Sequence, residues 1–237
     1  MGLTIHYALH SDTRSAKEAR RLVEDLRKRA LDLSFAEVRE VVELKGDACQ
    51  FDRYGQDHPH RWLLVQAGQF VEREGIHYTV APTHVVAFNA WPGEGCEEST
   101  FGLCIYPGVL DITDPRTGRA RNLRTELKGW NWSSFCKTQY SSSAEAGGVP
   151  NFLRCHLSVV RMLDHAKQLG ILAKVNDEGG CWEKRDLQAL AREVGDWNEQ
   201  MAALVGQLKD MFGGDFQAPI TQFKTFEHLE ARGRKQK

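Results

Sequence analysis

Apolar and polar residues alternate with a period of two over residues 2–10, placing Leu3, Ile5, Tyr7 and Leu9 on one side, which predicts a half-buried first strand. The period then lengthens. Ser15, with Glu18 three residues on, fits a capping box, and Ala19, Leu22, Val23, Leu26, Ala30 and Leu33 form one apolar helical face suited to covering a sheet. Alternation returns over 38–44, a polar stretch over 46–60 reads as a surface loop, and 62–72 regains β-type character. Residues 76–80 and 84–91 flank Ala81, Pro82 and Thr83, and the Glu74-Gly75 step before them suits a hairpin turn. Further strands are expected over 101–106, 109–113 and 123–127, the last two joined by a turn at 114–118, and then over 130–140.

Pro150 suits a first helical turn, and Phe152, Val159, Val160, Leu163 and Ala166 give the inner face of a helix that Gly170 stops. A short apolar strand follows at 171–175, so 130–175 reads β-α-β, echoing the start of the chain. From Asp186, a good N-cap, Leu187, Leu190, Val194, Trp197, Met201, Leu204, Leu208 and Met211 recur at steps of three and four. Such a seam either packs on its own sheet or forms a homodimer contact. The pattern predicts one α+β domain over 1–215, followed by a polar, basic, frayed tail over 216–237. Its sheet is expected to be mixed and largely antiparallel, with β-α-β units related to the ferredoxin-like arrangement, helices on one face and a long C-terminal helix.

Composition narrows the function classes. Lys plus Arg (31) balances Asp plus Glu (32), so no global field points to nucleic acid or an anionic membrane. Nothing approaches the ~18 consecutive apolar residues of a membrane span, and a cytoplasmic protein is expected. The six cysteines, at 49, 96, 104, 136, 155 and 181, lack CxxC spacing and read mainly as small buried hydrophobes. A zinc quartet of Cys96, Cys104, Cys136 and Cys155, or a His58/His60 pair, has only weak support from spacing.

GxxxxGK[ST], HExxH, GxSxG and a strand-to-helix GxGxxG are all absent. The densest polar-aromatic run is 129–140, where Lys137 beside Gln139 suits an anionic or amide-bearing ligand, or else forms an ordinary solvated sheet edge. His156 falls among Phe152, Val160 and Leu163 on its helix and should face inward, as a base, a metal ligand or a structural histidine. Asp177 and Glu178 follow a strand and precede Gly179-Gly180, a position for a cation-binding or general-base carboxylate, or for a solvated turn. Residues 91–98 form a second acidic, glycine-bearing loop that could serve as a lid.

The runs 135–140, 151–156, 163–170 and 175–186 resemble an uncharacterised family of bacterial proteins, most closely over 130–212. The resemblance implies a shared fold and a bacterial origin and transfers no catalytic role. The functional expectation is a small-molecule-binding domain in which Lys137, Gln139, Tyr140 and Trp182 bind the ligand. His156, Asp177 and Glu178 would be its catalytic residues if it were a hydrolase or transferase. The alternative is a protein-protein interaction module using the 187–211 seam or a sheet edge. Cofactor, substrate and reaction are left open.

Overall fold

The computed structural model describes residues 3–113, 118–212, 219–222 and 226–235. In chain order it contains β1 (Thr4–Ser11), α1 (Ala16–Leu31), β2 (Glu37–Val38), β3 (Val42–Lys45), α2 (Pro59–Ala67), β4 (Gln69–Arg73), β5 (Ile76–Val80), β6 (His84–Trp91), β7 (Ser99–Ile105), β8 (Val109–Thr113), β9 (Ala120–Arg124), β10 (Trp130–Lys137), α3 (Gly148–Gln168), β11 (Leu172–Asp177), α4 (Cys181–Lys184), α5 (Leu187–Phe212) and α6 (Phe226–Lys235). The main sheet runs β11-β1-β10-β7-β6-β2, with β3 also paired to β6, while β4-β5 and β8-β9 are separate hairpins. The expected turn at 114–117 lies outside the described residues.

Every neighbouring pair in the main sheet is antiparallel. Because β1 separates β10 from β11, those two strands run parallel to each other, and β10-α3-β11 is a split β-α-β unit. The same parity makes β1 and β2 parallel across three intervening strands, with α1 as their crossover.

Helix α1 starts at Ser15, whose hydroxyl accepts from the Glu18 amide, and buries Ala19, Leu22, Val23, Leu26 and Ala30. These residues join Ile5, Tyr7, Leu9, Phe88, Phe101, Trp130, Trp132 and the inner residues of α3 in the central core. The two helices therefore cover one face of the sheet.

Three segments depart from the sequence pattern. Residues 59–67 form a helix where a loop to residue 60 and β character from residue 62 were expected: Pro59 sits at its first turn, His58 caps it, and Leu63, Leu64 and Ala67 face inward at helical spacing. Strand β10 ends at Lys137, not at 140, because Thr138 leaves the extended region and Gln139–Ser142 coils into a 3-10 turn. The tail is not frayed throughout, since α6 packs against α5 and Arg234 pairs with Asp210 at 2.7 Å.

Only part of the α5 seam is covered, and by α3 in place of the sheet: Leu190 and Val194 pack with Phe152 of α3, Leu3 and Cys181, whereas Leu187, Met201, Leu204 and Met211 are exposed. Off the seam, Ala202 and Val205 pack with Ile220, Phe226 and Leu229. The 91–98 loop is tied to its surroundings: Arg154 donates to the Pro92 carbonyl at 3.0 Å, and Asn89 donates to Glu98 at 2.7 Å.

A polar staple joins β3, α1 and β6. Glu43 meets Lys45 at 2.7 Å, Arg20 at 2.6 Å and His84 at 2.9 Å. Hydrogen bonding from Lys45 leads, with Arg20 and His84 adding to it against partial burial, and the Glu43 carboxyl is lowered to about 2. A lowered folded-state pKa contributes stability that is present above the ordinary carboxylate range and lost as pH falls toward 2. Glu43→Gln should therefore cost roughly 1–2 kcal/mol at pH 7. Urea unfolding of both proteins at about pH 7 and pH 3 should show that gap narrowing in acid.

Candidate functional site

Four elements meet at one end of the sheet. Thr138, turned inward as β10 ends, donates its amide to the Leu3 carbonyl at 3.1 Å. His156 lies on the inner arc of α3 and is fully buried. Asp177 is the last residue of β11, opposite Ile5, so the pleat carries its side chain to the helix-covered face. The chain then turns through Gly179, where a Cβ would stand 2.7 Å from Leu190 Cδ1 and 3.4 Å from Asp177 Oδ1. A side chain there would push the Leu190 side chain of α5 aside.

The side chains form a row. His156 Nδ1 lies 3.0 Å from Thr138 Oγ1, and Nε2 lies 3.2 Å from Asp177 Oδ2. The amides of Gly179 and Trp182 donate to the Asp177 carboxylate at 3.0 and 2.9 Å. Burial pushes the Asp177 pKa up, but the hydrogen bond and charge of His156, together with these two amides, outweigh it and hold the group below the usual carboxylate value. The Thr138 hydroxyl also lies 3.4 Å from the Leu3 carbonyl. An Nε2–H donating to the Asp177 carboxylate, with Nδ1 accepting from the Thr138 hydroxyl, satisfies both ring nitrogens.

Cys181, at the start of α4, completes the cluster: its Sγ, a His156 ring nitrogen and an Asp177 oxygen all lie within 4.8 Å of one another. Burial pushes the Cys181 thiol up, and the Asp177 charge adds to the effect. The order hydroxyl, imidazole, carboxylate is that of a catalytic triad. Thr138, His156 and the Asp177 carboxylate have no exposed surface, however, so the row has no face to offer a substrate.

The seven residues expected to share a pocket separate. His156 and Asp177 meet in the buried row, and Trp182 contributes its amide while its ring lies under the Arg185 guanidinium, 4.4 Å from centroid to carbon. Glu178 turns to the opposite, open face, where it accepts from the Thr4 amide at 3.0 Å and approaches His6 to 4.0 Å. Lys137 packs over the exposed Tyr140 ring, 4.8 Å from its centroid, and Gln139 sits in the 3-10 turn.

Three of the cysteine quartet, Cys96, Cys136 and Cys155, come near one another, while Cys104 lies apart, near Cys49 and Tyr106. His58 and His60 meet edge to face, 4.8 Å between ring centroids, and both pack with Tyr54, while His58 caps α2.

On the open face of β11, β1 and β10 lies a shallow depression of about 490 Å³, lined by His6, Tyr7, Ala8, Ser133, Ser134, Phe135, Lys174 and Asn176. Its exposed side chains come from a period-two pattern: His6 opposes Phe135 on one side and Asn176 on the other, and Ala8 opposes Ser133 and Lys174. The sequence pattern marked the apolar side of these strands, and the opposite side supplies the depression. Asn176 and Glu178 project to it while Asp177, between them, projects into the buried row.

No family model, curated protein or solved structure matches this chain. Among the described residues no helix is long and apolar enough to cross a membrane.

Removing one partner of the buried row strands the other. Asp177→Ala should destabilise the protein by about 3–5 kcal/mol, because it leaves the ring and two amides without their acceptor. Denaturant unfolding at neutral pH checks this. A loss within 0.5 kcal/mol, the ordinary range for a surface substitution, would contradict the geometry.

Proposed function

We propose that the protein is a small-molecule-binding domain whose ligand lies on the open face of β11, β1 and β10. The depression there carries the reading. Phe135 is 44% exposed although it stands on a central strand, and the His6 ring lies 5.8 Å from its centroid. A flat ring would cover both and recover apolar contact. Lys174 offers a cation to an attached carboxylate or phosphate, and Asn176 and Ser133 add a two-way amide and a hydroxyl. The ligand class that fits is a small aromatic or heterocyclic anion, and Glu178 at the rim beside His6 would select against a second negative group there.

The absence of exposed surface on His156 favours binding over acid-base catalysis, and the buried row then serves to fix where β11 ends. The resemblance of 130–212 to an uncharacterised bacterial family supplies no reaction, so the reading rests on the depression.

A second reading has its own observation. Met201, Leu204 and Met211 of α5 are exposed by 39%, 47% and 73% and lie within one arc of the helix, an apolar stripe suited to a homodimer contact.

Ligand-detected NMR with a panel of nucleoside monophosphates and aryl carboxylates tests the first reading. Phe135→Ala and Lys174→Glu should each weaken a binding member by about tenfold or more, the equivalent of ~1.4 kcal/mol. Binding that neither change affects would remove the depression as the site. For the second reading, light scattering should show a concentration-dependent dimer that Leu204→Asp converts to monomer.

A further inference from the structure

We infer that His156, Asp177 and Cys181 form a binding site for one transition-metal ion of the zinc class. The three donor atoms come from α3, the end of β11 and the start of α4, and all lie within 4.8 Å of one another in the buried region. The 3.2 Å between His156 Nε2 and Asp177 Oδ2 is close to the ~3.3 Å subtended by two ligands each about 2.0 Å from a tetrahedral ion. One nitrogen, one oxygen and one sulfur donor suit zinc and its neighbours, and are unlike the all-oxygen sets that hold calcium or magnesium.

The surroundings resemble a prepared second layer. The ring nitrogen away from the cluster is fixed by Thr138, whose hydroxyl is in turn anchored on the Leu3 carbonyl. A ring that donates Nδ1–H to this hydroxyl leaves Nε2 free to ligate. The carboxylate is held by the Gly179 and Trp182 amides, so its orientation does not depend on the ion.

The loaded site is electrically neutral. A divalent ion held by a neutral imidazole, a carboxylate and a thiolate, with the thiol proton released to solvent, gives the cluster a net charge of zero and leaves no uncompensated charge in a low-dielectric region, the condition that usually forbids buried ions.

The test uses the full chain, stripped with a chelator and titrated with Co²⁺. One equivalent should bind with a thiolate-to-metal charge-transfer band and be displaced by Zn²⁺. Cys181→Ser should remove the band and weaken Co²⁺ binding by at least the ~10–100-fold that loss of an outer-layer partner alone costs, while Thr138→Val should keep the band and bind more weakly. X-ray absorption of the zinc-loaded wild-type chain, which needs no variant to fold, should show one sulfur ligand. Failure to bind a stoichiometric ion, a band that survives Cys181→Ser, or a sulfur count other than one would overturn the inference. None of these results depends on whether the open-face depression binds an anion.

Discussion

The arrangement depends on compensating one carboxylate taken out of water. Asp177 ends β11 with its side chain fully enclosed, and a carboxylate there would be expelled without partners. Four groups hold it: the His156 ring, the amides of Gly179 and Trp182, and, one step further along, Thr138. Each belongs to a different piece of chain. Satisfying the charge therefore requires the end of β10, the inner face of α3, the turn after β11 and the start of α4 to be assembled together. This is a specification device: packing alone would tolerate small shifts of α3 along the sheet, whereas hydrogen bonds of about 3 Å do not.

The same constraint shapes the open face. A strand alternates its side chains, so fixing Asp177 toward the helices commits Asn176 and Glu178 to the other side, beside His6 and the depression. β11 is the edge strand of the sheet and would otherwise be the easiest to displace. Anchoring its last residue in a buried polar row holds the binding surface in register without any residue of the row touching a ligand. A metal ion in place of the proton would strengthen this anchor.

Much of this was legible along the chain. Counting 100° per residue put His156 among Phe152, Val160 and Leu163, and it is indeed buried. Asp177 and Glu178 were grouped with it as one catalytic set, and the pleat separates the two: Asp177 meets His156, and Glu178 turns to the Thr4 amide. The boundaries of β6 and β8 match their patterns because turn residues or a change of period bracket them. Thr138 was hidden because the 130–140 run alternates straight through it, and only the contact with Leu3, distant in sequence, turns it inward. Helix α2 was misread because a short apolar run carries two periods at once, although Pro59 at its start was an available signal. The seam on α5 did not show that two different arcs would be used: α3 covers Leu190 and Val194 of the seam, while α6 covers the neighbouring Ala202 and Val205 and leaves Met201, Leu204 and Met211 exposed. The depression was invisible because its residues come from β1, β10 and β11 and are neighbours only after β1 has inserted between the other two.

The central claim is that His156 and Asp177 act as one unit, and a double-mutant cycle with His156→Gln and Asp177→Asn measures this directly. Both changes keep side-chain volume and hydrogen-bonding capacity, so the cycle reads the coupling with little cavity contribution. The account predicts that the double variant is less destabilised than the two single losses added together, with a coupling energy of about 1–3 kcal/mol. Additivity within about 0.5 kcal/mol would contradict it, and would mean that the two side chains share a buried space without depending on one another.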